Sequence, residues 1–99
     1  MGVPMTVTVL IPASFRRIAE DLAAVEVEAH TVRDALKALE AAHPGVLARV
    51  CDDGGNPRRS VEIYKDLEDI RFLDNLDTAL EQGSEVKIIA GPSSFRGAA

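Results

Sequence analysis

The sequence predicts an α+β domain, with a mixed sheet of about four to five strands packed on one main helix. Three observations predict it. Apolar and polar residues alternate at both ends of the chain, in "MTVTVLI" (Met5–Ile11) and "EVKIIA" (Glu85–Ala90). The stretch Val32–Ala42 instead carries its apolar residues at helical spacing, between a start and a stop signal. Two strand-like runs precede that helix and three follow it, an order suited to a sheet curled around one helix.

Each element rests on its own chemistry. In Met5–Ile11, Met5, Val7, Val9 and Ile11 share one face and Thr6 and Thr8 the other. Pro12 ends the run because it has no ladder donor. Ala13–Ala23 has Phe15, Ile18 and Leu22 at helical spacing but is short, so a loop with one or two helical turns is expected. "AVEVEA" (Ala24–Ala29) alternates again and reads as the second strand. Thr31 stands at an N-cap position, with Asp34 three residues on. Val32, Ala35, Leu36, Leu39 and Ala42 then form one apolar face, and Pro44-Gly45 stops the pattern.

The second half is less regular. "VLARVC" (Val46–Cys51) suits a short second helix, and "DDGGNPRRS" is loop by composition. "VEIY" (Val61–Tyr64) and "DIRF" (Asp69–Phe72) alternate around "KDLE", which predicts a hairpin with Val61, Ile63, Ile70 and Phe72 facing inward. "LDNLDTALEQGSE" suits turns and a 3₁₀ segment. The first and last strands are apolar enough to lie side by side at the centre. That arrangement is the ubiquitin-like β-grasp, although other α+β topologies satisfy the same pattern. Residues 1–4 read as an irregular, disordered start, 5–90 as the domain and 91–99 as a flexible tail.

Composition narrows the function classes. The 99 residues are 46% hydrophobic and 27% charged, as in an ordinary soluble domain. A net charge of −5 argues against nonspecific nucleic-acid binding, which needs clustered cations. From Asp66 to Glu85, seven acids face one base, Arg71. This stretch is either a solvated face or a docking surface for a basic partner. The single cysteine, Cys51, rules out an intramolecular disulfide and fits a reducing, cytoplasmic setting. No apolar run approaches the ~18 residues of a membrane span.

The interior offers little chemistry. "DDGGNP" lacks the strand-to-helix context of a phosphate loop. His30 and His43 stand at opposite ends of the expected helix, roughly 20 Å apart, too far to share a metal. Cys51 has no base placed near it by the sequence and reads as structural. No catalytic residue and no bound cofactor or metal is expected in the body. The terminus is the remaining candidate: the nine residues "GPSSFRGAA" reach about 30 Å when extended.

The stretch "VEIYKDLEDIRFLDNLDTALEQGSEVKII", with "TVRDALKALEAAHPGV" before it, resembles the ubiquitin-like sulfur carrier proteins. These include the molybdopterin synthase small subunit, the thiamine sulfur carrier and the carrier of an actinobacterial cysteine pathway, the branch this chain most resembles. The resemblance runs from about Met5 to Ala90. It implies a non-enzymatic carrier, used as a co-substrate. An ATP-dependent adenylating enzyme activates the C-terminal carboxylate, and a sulfur donor displaces AMP to leave a thiocarboxylate. A sulfur-acceptor enzyme then takes the sulfur, and the carrier is expected to be a monomer or weak oligomer. On this reading Gly97, Ala98 and Ala99 form the reactive end, and Arg71, Phe72, Phe95 and Arg96 are candidate partner contacts.

The end departs from the family's Gly-Gly. It reads Gly97-Ala98-Ala99, on a tail longer than usual. Alanine adds a β-carbon where the family has hydrogen, and it disfavours positive φ. Three readings fit: a partner adapted to Ala-Ala, an altered terminus, or loss of sulfur transfer with binding retained. The last makes the chain a ubiquitin-like interaction module, and an activated end used to tag proteins on lysine is a further alternative.

Overall fold

The computed structural model describes residues 5–90. The elements are β1 (Thr6–Leu10), β2 (Ala24–Glu28), α1 (Val32–Ala42), α2 (Val46–Val50), β3 (Val61–Lys65), β4 (Glu68–Asp69) and β5 (Glu85–Ala90). Three 3₁₀ turns, at Ala13–Phe15, Ile70–Phe72 and Asn75–Asp77, complete the set.

The sheet order is β2-β1-β5-β3-β4. β1 and β5 pair in parallel at the centre, with Val9 opposite Val86 and Leu10 opposite Lys87. Every other pairing is antiparallel. This is the ubiquitin-like β-grasp that the strand pattern suggested. The alternation explains the faces: Val7, Val9, Val61, Ile63, Val86 and Ile88 are buried, and their neighbours along each strand point outward.

α1 closes the inner face. Val32, Ala35, Leu36 and Leu39 are buried, while Ala42, expected on the same face, is exposed in the last turn. Thr31 caps the helix by accepting the Asp34 N–H at 3.1 Å. The chain after α1 turns at Gly45, whose φ of +106° needs glycine. The Glu40 carboxylate then accepts the N–H groups of Gly45 and Leu47 and holds the start of α2.

The Ala13–Ala23 segment is the expected loop, with one 3₁₀ turn that buries Phe15 followed by further turns that leave Leu22 exposed. The expectation for Asp69–Phe72 is corrected. The strand expected over Asp69–Phe72 stops at Asp69, and Ile70–Phe72 curls into a 3₁₀ turn. Asp69 causes the stop: its side chain accepts the Arg71 N–H at 2.9 Å, which a strand ladder would otherwise use. The curl keeps Ile70 in the core and swings Phe72 out, so the inward placement expected for Phe72 does not hold.

Candidate functional site

The five tail residues singled out in the sequence, Phe95, Arg96, Gly97, Ala98 and Ala99, lie outside the described residues. The fold fixes where their segment begins. Ala90 ends β5, one of the two central strands, so the chain leaves from the middle of the sheet. A groove of about 410 Å³ opens there, lined by Leu10, Pro12, Arg16, Lys87, Ile89 and Ala90. Because β1 and β5 run parallel, their C-terminal ends meet on one side of the molecule. The solvent face beside this exit carries Lys87, Ile89 and Glu62 fully outward, with Tyr64 half-buried.

The other two candidates sit at the sheet's edge. Arg71 makes the local ion pair its acidic surroundings suggest: its Nη2 lies 2.6 Å from Asp69 Oδ2, and its Nε donates to both carboxylate oxygens. Those bonds, with the Arg71 backbone N–H, hold the Asp69 carboxyl below the usual carboxylate range. They also raise the Arg71 guanidinium. Phe72, next along, is 84% exposed. Neither lines the groove at the end of β5. The sequence reading passed over one exposed apolar residue, in the predicted hairpin turn between β3 and β4. There Leu67 is 95% exposed. Its signal was an apolar residue inside a tight hairpin turn, where no side chain can reach the core.

The body holds no candidate catalytic constellation among the described residues. Cys51 is buried against a cavity of about 460 Å³ between α1, α2 and the loop after them. Burial, and then the neighbouring Asp52 carboxylate, push its thiol up, so it stays protonated and unreactive at neutral pH. His43 is buried 3.9 Å from Glu20, and its Nδ1 has no hydrogen-bond partner among the described residues. His30 is exposed at the other end of α1. No cluster of three or more His, Cys, Asp or Glu side chains placed to hold a metal occurs among the described residues.

A β-grasp sheet whose last described residue, Ala90, ends a central strand agrees with the likeness read from residues 61–89. A family model decides the matter: that of the ThiS family matches residues 9–91. The chain belongs to the ThiS family.

Relatives within and around the ThiS family place it further. It is 34% identical over 87 residues to the sulfur carrier protein CysO of Mycobacterium tuberculosis (strain H37Rv), across 86% of this chain and 94% of the relative. The crystal structure of M. tuberculosis CysO superposes with a TM-score of 0.81, covering 85% of this chain and 97% of that one. A chain of the Amycolatopsis orientalis BexX/CysO complex gives 0.83 at 27% identity, covering 93% and 99%. The small archaeal modifier protein 1 of Haloferax volcanii gives 0.72 at 27% identity, covering 84% and 93%. The chain is thus a CysO-like member of the ThiS family, and its β-grasp is theirs. No helix among the described residues is long and apolar enough to cross a membrane.

Proposed function

We propose that this chain is a sulfur carrier protein that delivers sulfur from its C-terminal end. The observation that carries the reading is the 34% identity to the sulfur carrier CysO, spread over 86% of the chain. The A. orientalis complex of CysO with BexX supports a carrier that works docked on a partner protein.

The chemistry assigned to the tail is as follows. A partner enzyme brings ATP to the Ala99 carboxylate. A carboxylate oxygen attacks the α-phosphorus and pyrophosphate leaves, which gives an acyl-adenylate. A sulfide donor attacks the acyl carbon, the C–O bond to AMP breaks, and a thiocarboxylate remains. Adenylation is needed because a bare carboxylate resists nucleophiles. The carrier supplies no acid or base: its part is to hold the end in position. The sulfur-acceptor enzyme then takes the sulfur, in cysteine, cofactor or secondary-metabolite synthesis.

The Gly97-Ala98-Ala99 end sets a condition on the partner, whose channel must admit one β-carbon on each of the last two residues. Incubation with an activating enzyme, ATP and sulfide, followed by intact mass spectrometry, tests the reading. One oxygen-for-sulfur exchange is expected, located at Ala99 by fragmentation. An unchanged mass, with an enzyme that loads a Gly-Gly variant of the same chain, overturns it.

The likeness to small archaeal modifier protein 1 favours a second reading, in which the activated end joins a lysine of a target protein. Higher-mass conjugates carrying a Gly97–Ala99 remnant on lysine would distinguish it.

A further inference from the structure

The sheet has two edges, and the fold treats them differently. β4 closes one side with only two residues, too few to offer a pairing surface. β2 closes the other side with five, Ala24–Glu28, and contains neither proline nor glycine. The ladder to β1 fixes which of its backbone groups are free. The Ile11 N–H donates to the Ala23 C=O at 2.8 Å and the Ala29 N–H to the Met5 C=O at 3.0 Å, so the odd-numbered residues of β2 bond to β1. Ala24, Glu26 and Glu28 therefore turn their N–H and C=O groups away from the sheet. All three are exposed, and no backbone bond to those groups occurs among the described residues.

Side chains decide which strand can use these groups. Glu26 and Glu28 project on the outer face, opposite Thr8 and Thr6 of β1, and neither pairs with a cation among the described residues. Thr8 in turn lies opposite Glu85 of β5, which extends the negative charge across the sheet. The cations of this side belong to the Ala24 end: Arg16 and Lys87 line the groove with Ala23 and Leu10, and Arg17 follows Arg16 in the chain. Arg33, beyond the Glu28 end, is paired with Asp77. On the inner face Val27 is buried and Val25 half-buried, so no inward charge guards the edge. Inward charge, bulges and proline bar any incoming strand, whereas like charge bars only some. Antiparallel pairing of two β2 strands in full register sets Glu26 against Glu26 of the second copy, which opposes self-association. A cationic strand meets the same edge without that penalty.

We propose that the β2 edge takes up an extended segment of a basic partner protein as a further strand of the sheet. The occupant carries lysine or arginine at two positions two apart, which meet Glu26 and Glu28 on the outer face. A β-branched residue between them joins Val27 on the inner face. Backbone bonds to Ala24, Glu26 and Glu28 supply affinity, and the two carboxylates select the sequence. The inference stands apart from the carrier reading, because it needs neither the C-terminal end nor its activation.

The test uses the full chain and, as probe, a capped peptide of alternating lysine and β-branched residues. One control carries glutamate in place of lysine. The other is the lysine peptide N-methylated at alternate residues, which keeps the charge but cannot pair along the edge. Backbone amide spectra and hydrogen exchange follow the binding. At saturation the lysine peptide is expected to shift the amides of β2 and to slow exchange at Ala24, Glu26 and Glu28 about tenfold, with both controls binding about tenfold more weakly. Glu26→Pro removes one outward donor and no bond to β1, and is expected to weaken the lysine peptide about tenfold. Because proline can unsettle a strand, Glu26→Lys/Glu28→Lys supplies a second arm. It should take the glutamate peptide in place of the lysine one, with the amide spectrum confirming the fold. Equal binding of the N-methylated peptide reduces the contact to charge attraction and overturns the proposal. Absence of binding by the lysine peptide, shifts confined to residues outside β2, or a wild-type dimer formed through β2 overturns it as well.

Discussion

Asp69 is the residue on which the edge of the sheet turns. Its carboxylate takes the backbone N–H and the guanidinium of Arg71, so one side chain ends β4 and orients its neighbour. The same bonds make it a pH-sensitive element. Its carboxyl lies below the ordinary value of about 3.9. The pair therefore stabilises the fold above that ordinary value, and the contribution is lost as pH falls through the lowered one. Urea unfolding of wild type and Asp69→Asn checks this: the wild-type advantage should be full near neutral pH and shrink below about pH 4. A pH-independent difference would show that the pair has no electrostatic part. That Arg71 pairs locally was readable from its acidic surroundings, but the choice of Asp69 was not. The exposure of Phe72 was not, because "DIRF" alternates like a strand and only the side-chain bond shows that it curls.

At the scale of elements, α1 was legible to the residue, from Thr31 at its cap to Ala42. Local rules suffice there: the capping bond, the 3.6-residue stripe and the Pro-Gly stop all lie within the segment. α2 shows the opposite case. It has five residues, too few to hold by itself, and Glu40 of α1 supplies the acceptor for its first N–H groups. Nothing in "VLARV" announces that dependence. Glu40→Ala should cost about 1 kcal/mol in urea or thermal unfolding, and Glu40→Gln less, since the amide keeps one acceptor oxygen. Equal stability of all three forms would remove the capping role.

At the scale of the whole molecule, the buried core of the described residues runs from Val7 to Ile88. Deleting Phe95–Ala99 should therefore change unfolding free energy by less than about 0.5 kcal/mol while abolishing sulfur loading. A large loss of stability would mean that the segment packs on the body.

By itself the sequence determined most of the strands, the main helix and the family. Those are set by spacing within short segments and by residue types, which local physical chemistry reads directly. Tertiary structure decided which surface is left over. Leu67 and Phe72 stand in water because β4 is too short to carry them inward and Asp69 bends the chain after it. Whether an apolar side chain finds a core depends on what the rest of the chain brings to meet it, and that is fixed only when the sheet is assembled.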